Sequence, residues 1–126
     1  MKPVLVDTSA WRHFFAGSVA FRPLAELLDE DGAVLMHPFV VGELVLGGLS
    51  SEKEKLFGRL PGASVVPHEE VLDLVKRRYL VRRAIGWVDA HLLASTLASS
   101  ALLWTADKAL GGAALDMRIA FRKILS

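Results

Sequence analysis

The chain contains no cysteine among its 126 residues. Disulfides, thiolate metal centres and thiol nucleophiles are excluded together, and the absence suits a reducing, cytoplasmic setting. An excess of either charge is also missing: 15 basic and 14 acidic side chains leave a formal net charge of +1. Any attraction to a polyanion must therefore come from a local patch and not from the global field. Long hydrophobic runs are absent too. Val4-Leu5-Val6 is cut off by Asp7, far short of a secretory signal core. The longest uncharged stretch, between Asp89 and Asp107, is too short for a membrane span and carries Ser95, Thr96, Ser99 and Ser100. The sequence is expected to have no membrane association. Without repeats, low-complexity tracts or linkers, residues 1–126 are expected to form one domain.

What is present is apolar. Hydrophobic residues make up 52% and charged residues 23% of the chain, with a mean hydropathy of +0.38. This is a globular composition, and its greasiness suits burial of some surface against a second chain.

The local pattern alternates strands and helices. Val4-Leu5-Val6 reads as a central strand of a parallel sheet because its apolarity is two-sided. Asp7-Thr8-Ser9 supplies N-cap chemistry for a helix through Phe15. A helix over Phe21–Glu30 precedes a strand over Ala33–Met36. His37-Pro38 opens the next helix and Gly47-Gly48 ends it. A charged helix over Ser51–Leu60 closes at Pro61-Gly62, and Ser64-Val65-Val66 is a candidate short strand. Helices are predicted from His68 to about Arg83 and from Val88 to Ser99. A strand over Leu102–Thr105, a short helix from Asp107 stopped by Gly111-Gly112, and a strand over Arg118–Phe121 complete the pattern. The expected fold class is α/β, a parallel sheet of four to five strands sandwiched by helices.

In such sheets ligands bind beyond the carboxyl ends of the strands, where the helices begin. Asp7 and Asp107 follow strands directly, and Asp89 opens a helix. Glu43 lies within an otherwise apolar helix, where a carboxylate is expensive unless paired or bound to a metal. Each Asp alone is also accounted for by helix capping. If the fold brings the four acids to one rim, they repel one another without cations. Hard divalent ions, Mg²⁺ or Mn²⁺, are the natural counter-charge for such oxygen donors.

Four segments carry a family resemblance. Val4-Leu5-Val6-Asp7-Thr8-Ser9, His37-Pro38-Phe39-Val40-Val41-Gly42-Glu43-Leu44, Gly86-Trp87-Val88-Asp89-Ala90-His91-Leu92-Leu93-Ala94 and Leu103-Trp104-Thr105-Ala106-Asp107 resemble the motifs of PIN-domain ribonucleases. The branch that they resemble is the VapC-type toxins of toxin–antitoxin pairs. Order and spacing match over essentially the whole chain.

The resemblance implies a PIN-like nuclease domain in which Asp7, Glu43, Asp89 and Asp107 hold one or two Mg²⁺ or Mn²⁺ ions and a metal-activated water cuts RNA internally. It further implies Thr8 and Thr105 as hydroxyls orienting carboxylates or water; local capping is the alternative role for each. Homodimers and silencing by a cognate antitoxin protein are also features of this branch. One departure is visible, because Lys108-Ala109-Leu110 lacks the second acid that many relatives carry after the last motif.

His13, His37, His68 and His91 show no sequence pairing of the kind a metal-free acid–base ribonuclease needs, and are expected to be structural. Lys76-Arg77-Arg78-Tyr79-Leu80-Val81-Arg82-Arg83 carries five positive charges. It reads either as a solvated helix face or as a phosphate-contacting patch, with Arg82 and Arg83 as the RNA-contact candidates. A receiver-type signalling module and an aspartyl phosphatase are disfavoured, since Thr8 and Ser9 stand where each would need a second acid. A PIN-like module that binds RNA or protein without cutting, and a housekeeping RNA-processing nuclease, stay open as alternatives.

Overall fold

The structure, a computed structural model, describes residues 1–121. Its centre is β1 (Val4–Val6), whose three side chains are completely buried. A strand apolar on both sides is stable only with both faces covered, and it lies between β2 (Val34–Leu35) and β3 (Leu102–Trp104), with the strand order β2-β1-β3. Both pairings are parallel, Val4 opposite Val34 and Leu102, and Val6 opposite Trp104. Helices α1 (Thr8–Phe15), α2 (Leu24–Leu28), α3 (Pro38–Leu46), α4 (Ser51–Phe57), α5 (His68–Arg77), α6 (Trp87–Ala98) and α7 (Lys108–Asp116) complete the order. Trp11 on α1 is fully buried, with Phe14, Phe15 and Phe57 around its ring.

The α/β class with a parallel sheet is as expected, but the sheet has three strands among the described residues, not four to five. The segment at Ser64–Val66 is not a strand. Pairing there stops at one bridge, Met36 with Gly62. The Ser64 amide is taken by the Ser99 hydroxyl at 2.9 Å and so does not extend a ladder. The predicted strand over Arg118–Phe121 is likewise reduced to one parallel bridge, Leu103 with Ala120, held by amide bonds on either side of Leu103.

Helix boundaries also move, and the helix expected over Ser51–Leu60 ends at Phe57. The predicted Phe21–Glu30 helix shortens to α2, because Val19–Phe21 forms a separate 3₁₀ turn ahead of Pro23. Gly111-Gly112 does not stop α7, which runs through to Asp116. Two glycines cost a helix about 1 kcal/mol each, and the burial of Leu110, Ala113 and Ala114 on the same helix outweighs that. Helix α5 ends at Arg77, short of the expected Arg83. Tyr79 turns left-handed at φ 53° and Leu80 folds back into the core, so residues 78–86 are irregular.

Three of the four histidines gather between α3, α5 and α6. His37 is fully buried, and its Nδ1 accepts the Phe39 amide at 3.0 Å, capping α3. That bond requires Nδ1 to be unprotonated. His91, also buried, lies 2.9 Å through Nε2 from Nδ1 of His68. This pairing was not visible in the sequence, since the two residues are 23 apart. Burial lowers the pKa of both His37 and His91, and the neighbouring imidazoles lower it further.

A depressed histidine pKa means that the unfolded chain takes up protons first as pH falls. The free energy of unfolding should therefore decrease as pH drops below the unfolded value of about 6.5. His37→Asn keeps a capping acceptor and loses the titration. Urea midpoints from pH 7.5 to 5.5 should fall less steeply in this variant than in the parent. Parallel slopes would exclude His37 as a source of acid sensitivity.

Candidate active site

Parallel pairing of Val6 with Trp104 sets the residues after β1 and β3 side by side. Asp7, at the end of β1, caps α1: its Oδ1 accepts the Ala10 amide at 2.8 Å and the Ser9 hydroxyl at 2.7 Å. Its Oδ2 accepts the Thr105 hydroxyl from beyond β3. Thr105 Oγ1 in turn accepts the Asp107 amide at 3.0 Å, and Ser9 Oγ accepts the Ala106 amide at 2.9 Å. Two strand ends are thus stitched together by hydroxyls. Asp107 caps α7 through Leu110, and Asp89 in the first turn of α6 accepts the Gly86 amide at 3.2 Å. Glu43 on α3 accepts the Thr8 hydroxyl at 2.7 Å.

These contacts bring the four acids to one pocket of about 180 Å³, lined by Asp7, Thr8, Ser9, Arg12, Glu43, Asp89, Leu92 and Asp107. Of the expected site residues, Asp7, Glu43, Asp89, Asp107 and Thr8 line it directly. Thr105 stands behind Asp7 and lines the adjoining, larger depression against α7. Arg82 and Arg83 are not in it: Arg82 borders a separate notch, and Arg83 is paired with Asp116 at 2.8 Å. Glu43 differs from expectation in being exposed. Helix α3 is apolar on several sides, but Val40 and Leu44 are its fully buried positions, and Glu43 faces the pocket mouth where water solvates it.

Two lining residues were missed in the sequence. Ser9 was absorbed into the capping pattern, yet it bridges Asp7 to the chain after β3. Arg12 is the one basic residue in the lining and forms no ion pair among the described residues. Its spacing from Thr8, one helical turn, was the available signal. Gly47 leaves it room, since a Cβ there would lie 3.3 Å from its guanidinium.

The electrostatics follow from crowding. Burial pushes the Asp7 carboxyl above its ordinary range against the three hydrogen bonds that lower it, and Asp107 pushes the same way. Asp89 is raised chiefly by burial, with Asp107, Asp7 and Glu43 adding to it. Among the described residues no three side chains converge as a ready-made metal centre. The donor chemistry nevertheless fits a hard cation. All four acids offer oxygen, no histidine lines the pocket, and Asp89, Glu43 and Asp107 each leave one oxygen without a hydrogen bond.

A parallel α/β sandwich with acids at these strand and helix ends defines the PIN class. The family model described as PIN domain matches residues 4–114, and the chain belongs to that family, in its VapC type. More particularly, it is 42% identical over 127 aligned residues to Ribonuclease VapC32 of Mycobacterium tuberculosis, in both strain CDC 1551 / Oshkosh and strain ATCC 25618 / H37Rv. Those alignments span 98% of this chain and 99% of each relative. Among solved structures, FitAcB from Neisseria gonorrhoeae superposes with a TM-score of 0.61 at 21% identity, covering 93% of this chain and 94% of that one. PAE2754 from Pyrobaculum aerophilum gives 0.59 at 16% identity, covering 89% and 79%. Both structural likenesses bear on the fold.

Raised carboxylate pKa values mean that the folded chain holds protons that the unfolded chain has lost. Stability from Asp7 and Asp89 is therefore lost as pH rises from about 3.9 through their folded values. At neutral pH Asp89→Asn should raise the melting temperature of the metal-free protein. Mn²⁺ or Mg²⁺ should stabilise the parent, by about 2.7 kcal/mol at a hundredfold excess over Kd, and should stabilise the variant far less. Thermal scans with and without metal read both effects, and an undiminished metal response in the variant would remove Asp89 from the cation site.

Proposed function

We propose that this chain is a metal-dependent endoribonuclease and the toxin of a toxin–antitoxin pair. The observation that carries the reading is the meeting of four carboxylates, from four separated segments, in one pocket at the carboxyl ends of β1 and β3. Nearly full-length identity of 42% to proteins named as ribonucleases supports the same activity here. Asp7, Glu43, Asp89 and Asp107 are the residues that would hold Mg²⁺ or Mn²⁺. Once bound, the ion supplies charge neutralisation for a phosphodiester and a water acidic enough to attack it.

The chain's own groups prepare that chemistry. Thr105 and Ser9 fix both oxygens of Asp7, so the carboxylate needs little reorganisation to meet a cation. Thr8 steadies Glu43 across the pocket mouth. Arg12 sits where a phosphate would enter, and its guanidinium is suited to gripping two oxygens of that group. The supporting shell is built from hydroxyls on α1 and beyond β3.

An antitoxin protein and a second copy of the chain are the proposed partners, in a cytoplasmic setting. Exposed apolar side chains at Val19, Val45, Leu46 and Leu72 supply surface for such contacts. None of the described helices is long and apolar enough to cross a membrane. The rival reading is a PIN-like module that binds without cutting.

Purified chain incubated with a mixed pool of structured RNA and Mn²⁺ or Mg²⁺ should produce internal cuts. EDTA and Asp89→Asn should each abolish them. Thr105→Val should lower the rate about 10- to 100-fold, the usual effect of losing a group that orients a metal ligand. Arg12→Ala should weaken turnover by a similar factor, since a charged hydrogen bond contributes about 1.5–3 kcal/mol. Cutting that survived both EDTA and Asp89→Asn would overturn the carboxylate mechanism. A folded, metal-binding protein that cuts nothing would establish the binding module.

A further inference from the structure

Between α5 and α6, residues 78–86 hold three non-glycine residues in the left-handed region: Tyr79 at φ 53°, Arg82 at 64° and Ala84 at 59°. Tyr79 ends α5. Its amide donates to Lys76 at 3.4 Å and the Leu80 amide donates to Val75 at 3.0 Å, a reversal whose left-handed position favours glycine. A side chain there is strained, and the Tyr79 side chain itself makes no contact among the described residues that offsets the strain. The ring is 84% exposed, and neither its face nor its hydroxyl has a partner among the described residues.

Cations flank it along the chain. Of Lys76, Arg77, Arg78, Arg82 and Arg83, Arg77 is paired with Asp73 and Arg83 with Asp116. Lys76, Arg78 and Arg82 are exposed and form no ion pair among the described residues. A second aromatic, Trp87, is 45% exposed and opens α6 two residues before Asp89.

The stretch lies at the catalytic end of the fold. Helix α5 packs across the first turns of α6: His68 at its start meets Trp87 and His91, and Val75 and Leu80 at its far end share an apolar notch with Arg82, Trp87 and Ala90. The notch therefore lies against the end of α6 that carries Asp89. Unpaired cations beside an exposed ring match a flexible polyanion that has π faces of its own, and base–aromatic stacking is how proteins hold single strands. Bases within a duplex are already stacked and closed to such a ring.

We propose that Tyr79 is a stacking platform for an unpaired base of the RNA substrate, with Arg78 and Arg82 on the flanking phosphates, so that residues 78–82 position the strand from outside the carboxylate pocket. The proposal rests on the ribonuclease reading above and assigns substrate-positioning residues beyond it.

The test is fluorescence anisotropy of a labelled, unstructured oligoribonucleotide and of its duplex, across a salt series in EDTA, where cleavage is silent. Tyr79→Gly places the favoured residue at the left-handed position, so its melting temperature should equal or exceed the parent's. Its single-strand affinity should nevertheless drop about tenfold or more, the range of one lost base stack. The salt slope should stay unchanged, because no charge is removed. Tyr79→Phe should retain parental binding. Arg82→Ala should reduce the slope of log K against log salt by about 0.7, one phosphate contact on a single strand.

Duplex binding as tight as single-strand binding would overturn the proposal. So would parental affinity in Tyr79→Gly; with cleavage intact, that result would mark the ring as a protein-docking residue and leave the nuclease reading standing. Conversely, a parent that never cuts RNA but shows the Tyr79 dependence in EDTA would fail the nuclease reading alone.

Discussion

Asp7 is 4% exposed at the end of a strand that is itself completely buried, and a carboxylate at that depth is stable only when its lone pairs are taken. The three donors that take them come from two places in the chain: Ser9 and Ala10 at the start of α1, and Thr105 after β3. Register makes this possible. Because Val6 pairs with Trp104 in parallel, the residues after both strands emerge together, and a hydroxyl 98 residues away reaches the first acid. A one-residue slip would put Thr105 on the wrong side of the sheet and leave Asp7 unsatisfied. Fold and site are thus held by the same contacts.

The remaining acids are tolerated by a different device. Asp7 and Asp107 cap helices, and Asp89 lies in the first turn of a third. Three positive helix ends therefore face the pocket, each contributing roughly half a unit of positive charge at close range. Glu43 has no such support. It sits mid-helix, exposed and tied to Thr8. The helix termini reduce the mutual repulsion but do not cancel it: burial is the main cause of the raised pKa values of Asp7 and Asp89, and the neighbouring carboxylates still add to it. Excess negative potential left in the pocket is what would draw a divalent cation there.

Much of this was legible in the sequence because it is encoded locally. The two-sided apolarity of Val4–Val6, the N-cap at Asp7, Pro38 in the first turn of α3, and the acids at element ends all follow from neighbours within a turn. Where tertiary packing decided, local signals failed. Gly111-Gly112 look like a stop, yet the buried face of α7 carries the helix across them. Glu43 looks buried by the company it keeps, but burial on α3 is confined to Val40 and Leu44, and the apolar Val45 and Leu46 are exposed as Glu43 is. The His68–His91 pair, and Arg12 in the lining, depend on which helices pack together. At residues 78–86 the helical pattern of charges continued after the backbone had left the helix, because the left-handed turn at Tyr79 uses a residue that gives no turn signal.

A net charge of +1 conceals a separation of charge that bears on how RNA approaches. The acids converge at the ends of β1 and β3, while unpaired cations cluster past the end of α5, on the same end of the molecule. A strand arriving at long range meets little net field, so steering is short-ranged and weak at physiological ionic strength. On contact the cationic stretch attracts phosphates and the bare acidic pocket repels them. Arg12, the lone cation in that lining, is too little to reverse four carboxylates. Under the proposed function, binding along the arginine stretch would need no cation, whereas a phosphate entering the pocket would need one to offset the four carboxylates.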